Sequence, residues 1–157
     1  SARRSGRGGA GALRAVARGG SEDRHAVLVG GTQYTGLLDP ELLLAVLDKR
    51  TNLNLSDKDV FINVVGGLKL QDPAADLAIC MAIASAAAGR KLSEDSVVFG
   101  EVGLGGEIRS VSSSMLRVKE AKKLGFKTAL APNTKPKDAF IEPQTNLRDA
   151  LNHYLTK

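Results

Sequence analysis

Apolar positions in this chain fall into short β-branched runs and longer helical stripes, punctuated by glycines, prolines and charged pairs. His25–Val29 reads as a short strand, and the GGTQYTG after it as a loop. Asp39 is a good N-cap and Pro40 fits a first helical position. A helix therefore opens there, with Leu42, Leu43, Leu44, Val46 and Leu47 as its apolar face and Asp48, Lys49 and Arg50 at its end. Asp59–Val65 is a β-branched run stopped by Gly66 and Gly67, which predicts a strand. Asp72 and Pro73 start the next helix. Its Leu77, Ile79, Cys80, Met81 and Ile83, with alanines between them, leave almost no polar face. A helix of that kind is buried on most sides. Gly89 ends it, and Arg90 and Lys91 follow near the negative end of the helix dipole.

The second half has a different grain. Ser96–Val102, the glycine-rich turn Gly103–Gly106 and Glu107–Val111 read as a hairpin. Ser112–Ser114 cap a helix that runs through Leu124 and closes at Gly125. Lys127–Ala131 and Ala139–Ile141 read as strands, and Asn146–Leu155 as a final helix with Leu147, Ala150, Leu151 and Tyr154 on one face. Helices and strands mixed around one hairpin define an α+β class, α/β in flavour, with a mixed sheet.

Composition narrows what this domain can do. The chain has 157 residues, 43% of them hydrophobic, which is enough for one domain with a sizeable core. Aromatics are sparse and Trp is absent, so the core must come from Ala, Val, Leu and Ile. No apolar run reaches the ~20 residues of a membrane-spanning helix, and no membrane partner is expected. The single cysteine, Cys80, cannot form an internal disulfide or a thiolate zinc site, and it reads as a small core residue. A reducing compartment follows.

Charge is unevenly placed. Of the net +5, most sits in residues 1–24, where Arg3, Arg4, Arg7, Arg14, Arg18 and Arg24 face Glu22 and Asp23. The remaining sixteen basic residues face fifteen acidic ones. Residues 1–24 read as a disordered basic tail or linker and residues 25–157 as the domain. The tail fits a nucleic-acid arm, an organelle transit peptide or a fragment boundary, the last being preferred because the chain starts at Ser1. Any nucleic-acid surface on the domain must arise from clustering.

Candidate chemistry is thin. VGGTQYTG has no lysine in a phosphate-loop position, and GEVGLGGE lies in a hairpin, so no nucleotide is expected. His25 and His153 are far apart in sequence and offer no metal spacing, so no metal or other cofactor is expected. Glu107 and Arg109 read as exposed hairpin charges. Arg117, Lys119, Lys122 and Lys123 line a helix, with Lys119, Lys122 and Lys123 adjacent at helical spacing. This is a solvated face or a phosphate-contacting strip, without an aromatic platform for base stacking.

Three stretches, DVFINVVGGLKLQDPAADLAICMAIASA (59–86), VVFGEVGLGGEIRSV (97–111) and RVKEAKKLGFKTALAP (117–132), resemble the Lon-protease-like domain that ends the RadA/Sms family of DNA repair proteins. LLLAVLDKR (42–50) matches that domain's opening helix, whereas residues 25–41 do not read like its usual lead-in. The resemblance implies a Lon proteolytic-domain fold, that is, ribosomal protein S5 domain 2-like. Active Lon proteases use a serine at a helix start and a lysine in the helix after the hairpin. Laid onto this chain, those positions are Ala74 and Met115. Ala74 has no oxygen to attack a carbonyl, and Met115 has no group to accept a proton. The expectation is a chain that is not an enzyme.

What the resemblance implies instead is a scaffold for recombinational repair. A RecA-like ATPase drives branch migration, and the Lon-like domain forms a homo-oligomer, a hexameric ring, and touches DNA. The candidate DNA contacts are Lys69, Arg90, Lys91, Arg109, Arg117, Lys119, Lys122 and Lys123. The setting is bacterial cytoplasm, or a plant chloroplast or mitochondrion. The alternatives are a Ser/Lys peptidase using Ser85 or Ser112–Ser114, and a protein-interaction module without DNA contact.

Overall fold

The computed structural model describes residues 15–19, 24–34, 40–53, 55, 59–70, 73–88 and 95–155. In chain order the elements are β1 (Ala15–Gly19), β2 (Arg24–Tyr34), α1 (Pro40–Arg50), β3 (Asp59–Leu70), α2 (Ala75–Ala88) and β4 (Ser96–Val98). They continue with β5 (Glu101–Val102), β6 (Ile108–Arg109), α3 (Ser114–Lys123), β7 (Thr128–Ala131), β8 (Ile141–Pro143) and α4 (Leu147–Leu155). Parallel and antiparallel pairs coexist, so the mixed α+β class expected from the sequence is what forms. No described helix is long and apolar enough to cross a membrane.

One sheet has the order β1-β2-β3, with β1 antiparallel and β3 parallel to β2. Both β2 and β3 run further than their sequence suggested. The expected stop at Gly66 and Gly67 is instead a register shift: Gly30 faces Val65 and Thr32 faces Leu68, so two glycines oppose Gly31. The ladder absorbs the extra residue as a bulge and continues.

The second sheet, β4-β7-β8, is parallel throughout and separates two cores. Side chains alternate across a strand, and the two faces sort accordingly. Val98 and Leu130 point into a core built with α1, α2 and α4, through Leu43, Val46, Leu47, Leu77, Ile79, Met81, Ile83, Leu147 and Leu151. Val97, Phe99, Ala129, Ala131 and Ile141 point the other way and pack on Val118 and Ala121 of α3. Helix α2 is buried along almost its whole length, as its missing polar face required. On α1 the buried positions are Leu43, Val46 and Leu47, and Leu42 is left exposed.

Gly100 splits the expected Ser96–Val102 strand into β4 and β5. Its N–H donates to the Ala74 carbonyl at 2.8 Å, and its carbonyl accepts from Leu77 N–H at 3.0 Å. A Cβ there would come within 3.1 Å of Ile108, 3.2 Å of Leu77 and 3.3 Å of Pro132, so only glycine lets the start of α2 approach this closely. Buried Asp76, in the first turn of α2, accepts from Val102 N–H at 3.3 Å and ties β5 to the same helix.

The helix ends explain themselves locally. Gly125 has φ +90°, and Phe126 N–H returns to the Ala121 carbonyl at 3.0 Å, closing α3. Asn146 caps α4, accepting from Asp149 N–H at 2.9 Å. Ser113, at the N-cap of α3, departs from expectation: it sits at φ 58°, ψ 35°, and its side chain makes no cap bond. Ser114 Oγ instead donates to the Val111 carbonyl at 3.2 Å.

Candidate nucleic-acid interface

The two positions matched to a Ser–Lys dyad lie in unlike surroundings. Ala74 is buried with Phe99, Val118 and Ala121. Met115 is on α3 and 50% exposed. Neither side chain carries a nucleophile or a base. Cys80 is not a nucleophile in waiting either, because burial, reinforced by the charge of Asp76, pushes its thiol far above the ordinary range. Among the described residues no cluster of three or more His, Cys, Asp or Glu could hold a metal ion.

The basic residues divide into committed and uncommitted ones. Arg109 reaches Glu107 at 2.7 Å and Glu101 at 3.6 Å, forming a local ion network on the β5–β6 hairpin. The Glu107 carboxylate also curls back over the turn, occupying the space a side chain at Gly103 would need. Its own backbone N–H, the Arg109 guanidinium and Gly105 N–H all donate to it and hold its carboxyl below the usual range. Arg117 is only 8% exposed. Its Nε donates to the Ser112 carbonyl at 3.0 Å, and its guanidinium lies 6.0 Å from the Phe99 ring centroid. Both arginines were expected at DNA, and both are engaged within the protein.

Lys119, Lys122 and Lys123 differ. All are exposed on α3, and among the described residues none forms an ion pair. Their side of the helix faces outward because Val118 and Ala121 take the core-facing side. Lys122 Nζ lies 5.5 Å from the Phe140 ring, so the strip adjoins the loop between β7 and β8. Lys69 is in β3, paired with Gln33 on the other sheet. Arg90 and Lys91 lie outside the described residues. Exposed Lys137 has little sequence signal, only a Lys-Pro-Lys run at 135–137, and it was not among the expected contacts.

On the far side, β8 is clasped to α4. Tyr154 donates its hydroxyl to Glu142 at 2.5 Å, and His153 Nε2 lies 3.3 Å from the same carboxylate oxygen. Burial and then this carboxylate push the Tyr154 hydroxyl well above its ordinary range. His153 is half exposed, as a surface residue on a terminal helix should be.

An α+β domain with a glycine-stitched helix start and a lysine-faced α3 is the class that these features define. Residues 42–135 match the family model described as subunit ChlI of Mg-chelatase. The match spans more than half of the chain, and the chain belongs to this family. Its curated relatives narrow the placement to the DNA repair proteins RadA. Identity is 52% over 93 residues with RadA of Aquifex aeolicus, covering 59% of this chain and 21% of that protein. With RadA of Haemophilus influenzae it is 50% over 115 residues, covering 70% and 25%. With RadA of Escherichia coli it is 52% over 91 residues, covering 58% and 20%. The chain thus spans a quarter or less of the length of these relatives.

One expectation is corrected by these matches. The loss of the dyad led to the expectation that the chain is not an enzyme, whereas the family it belongs to is described by a subunit of Mg-chelatase, an enzyme, and its RadA relatives point the same way. The error lay in scope: losing a hydroxyl and an amine at two positions removes one chemistry and says nothing about membership in a family with another.

Proposed function

We propose that this chain is the DNA-contacting, Lon-protease-like domain of a RadA-type ATPase for recombinational repair, with a ribosomal protein S5 domain 2-like fold. In this reading the three lysines of α3 meet the phosphate backbone. ATP hydrolysis and branch migration are driven from the portion of the relatives that this chain does not match, and copies of the domain assemble as a hexameric ring. Peptide hydrolysis by a Ser–Lys dyad is not among its activities. The observation that carries the proposal is the outward placement of Lys119, Lys122 and Lys123, without ion pairs among the described residues, in a chain whose relatives are DNA repair proteins.

The test is the salt dependence of DNA affinity. Every cation withdrawn from a phosphate lowers the slope of log K against log salt by ~0.7–0.9. Reversing Lys119, Lys122 and Lys123 to Glu together should lower it by about 2, read by fluorescence anisotropy. An unchanged slope removes α3 from the interface. Casein incubated with the pure protein should stay intact. Metal-independent cleavage, abolished by substituting a residue beside Ala74, would overturn the non-proteolytic part.

A second reading, a protein-interaction module without DNA contact, draws on exposed Leu104, Met115 and Leu116. It predicts salt-insensitive affinity for a partner and no DNA binding beyond what the arginine tail supplies.

A further inference from the structure

We infer that the edge of the β4-β7-β8 sheet around Phe140 is a second phosphate-binding station, where Lys127 and Lys137 continue the path that a DNA strand takes along α3. The inference rests on the DNA-contacting reading above and extends it to residues on two other segments.

Four observations bring these lysines together. Lys122 Nζ stands 5.5 Å from the Phe140 ring, which joins the outer side of α3 to the β7–β8 loop. The Phe140 carbonyl accepts from Ala129 N–H at 2.9 Å and from the Thr128 hydroxyl at 3.1 Å, so Phe140 lies at the start of β7, next to Lys127. Asp138 accepts from Phe140 N–H at 2.8 Å through its side chain and from Ile141 N–H at 3.0 Å through its carbonyl, which fixes the turn that Lys137 leads into. Lys122, Lys123, Lys127 and Lys137 are all exposed, and among the described residues none is ion-paired.

The acids at this edge do not cancel these charges. The Asp138 carboxylate is engaged by the Phe140 N–H. Asp95 stands beside Lys127, with its carbonyl accepting from Lys127 N–H at 2.8 Å, and it has a partner of its own. Glu120 shares α3 with Lys122 and Lys123, so four lysines stand against three carboxylates and the corner stays positive.

A phosphodiester backbone fits this corner better than a protein does. Protein interfaces need an apolar centre depleted of charge. Among the described residues the exposed large apolar ones, Leu42, Leu104, Met115 and Leu116, are elsewhere, with Met115 and Leu116 in the first turn of α3. Phe140 is buried and Phe126, beside Lys127, is packed against the same cluster, so neither offers an open ring face for base stacking and the lysines point to phosphates. The reach of α3 is also short. From Lys119 to Lys123 the helix rises only ~6 Å, less than two phosphate steps of ~3.4 Å along a duplex strand. A strand held along more than that length needs contacts beyond α3, and this corner adjoins it.

The experiment compares salt slopes for an oligo-dT single strand on the full chain in four forms: wild type, Lys127→Glu with Lys137→Glu, the α3 triple reversal, and Lys49→Glu with Arg50→Glu. The last pair reverses the same charge on α1, across the sheet from α3. The Lys127/Lys137 reversal should lower the slope by ~1.4, the α1 reversal should leave it unchanged, and thermal unfolding should match wild type. An unchanged slope for Lys127/Lys137 alongside a lowered one for the α3 triple overturns the corner and leaves the α3 reading intact. Unchanged slopes for both overturn both. Displacement of oligo-dT by polyglutamate at equal charge concentration would mark the corner as a site for acidic protein and overturn the DNA assignment.

Discussion

At the β5–β6 hairpin Arg109 is held between Glu107 and Glu101, and a few residues later Arg117 is drawn beneath the surface beside Phe99. On the outer side of α3 stand Lys119, Lys122 and Lys123, unpaired among the described residues. The two regions are neighbours in sequence, yet one ties its arginines to carboxylates and a backbone carbonyl, while the other leaves its lysines exposed and without ion pairs among the described residues, Lys122 resting 5.5 Å from the Phe140 ring. Availability, more than charge count, separates a structural cation from a ligand-binding one. The side chains suit their parts: a planar guanidinium donates several fixed hydrogen bonds and stacks on rings, whereas an ammonium on a flexible stem acts as a point charge.

The contrast is most open to attack at Arg117. Replacing it with Ala leaves the Ser112 carbonyl without this donor and strips packing from Phe99, and should cost about 1–3 kcal/mol in urea unfolding. Lys119→Ala, on the surface, should change stability by no more than ~0.5 kcal/mol. Equal costs would erase the distinction between the two regions. DNA binding gives the complementary test, in which Arg109→Glu should leave the salt slope near wild type because that charge is already satisfied by Glu107.

A smaller effect lies in the acid limb. The Glu107 carboxyl titrates below its ordinary value of 4.5 in the folded protein, so its contribution to stability is present above that value. The contribution disappears as pH falls through the folded-state value. Glu107→Gln has nothing to lose there, and its stability should decline less than wild type between about pH 6 and pH 3 in urea titrations. A parallel decline would show that the Glu107 network adds nothing to stability.

Much of this architecture was legible before any coordinates, for stated physical reasons. A nearly all-apolar α2 can only be buried, and Gly125 can close α3, because each depends on residues within a few positions. The limits of β2 and β3 were not legible, because pairing across Gly31, Gly66 and Gly67 is decided by the partner strand. The Ser113 cap failed for a related reason: a favourable residue type does not fix a dihedral angle. At the site, helical spacing was enough to place Lys119, Lys122 and Lys123 on one side. It could not separate them from Arg117, two residues before Lys119, whose burial depends on Phe99 from the segment just after β4. Lys137 was invisible because its neighbours come from the chain's return to β8.

Whether α3 lies against DNA can be read residue by residue from lysine acetylation footprinting with mass spectrometry, in the presence and absence of DNA. DNA should protect Lys119, Lys122 and Lys123 while Lys49 on α1 reacts at the same rate in both samples. Uniform reactivity across all four, or protection of Lys49 alone, would contradict a DNA-facing α3.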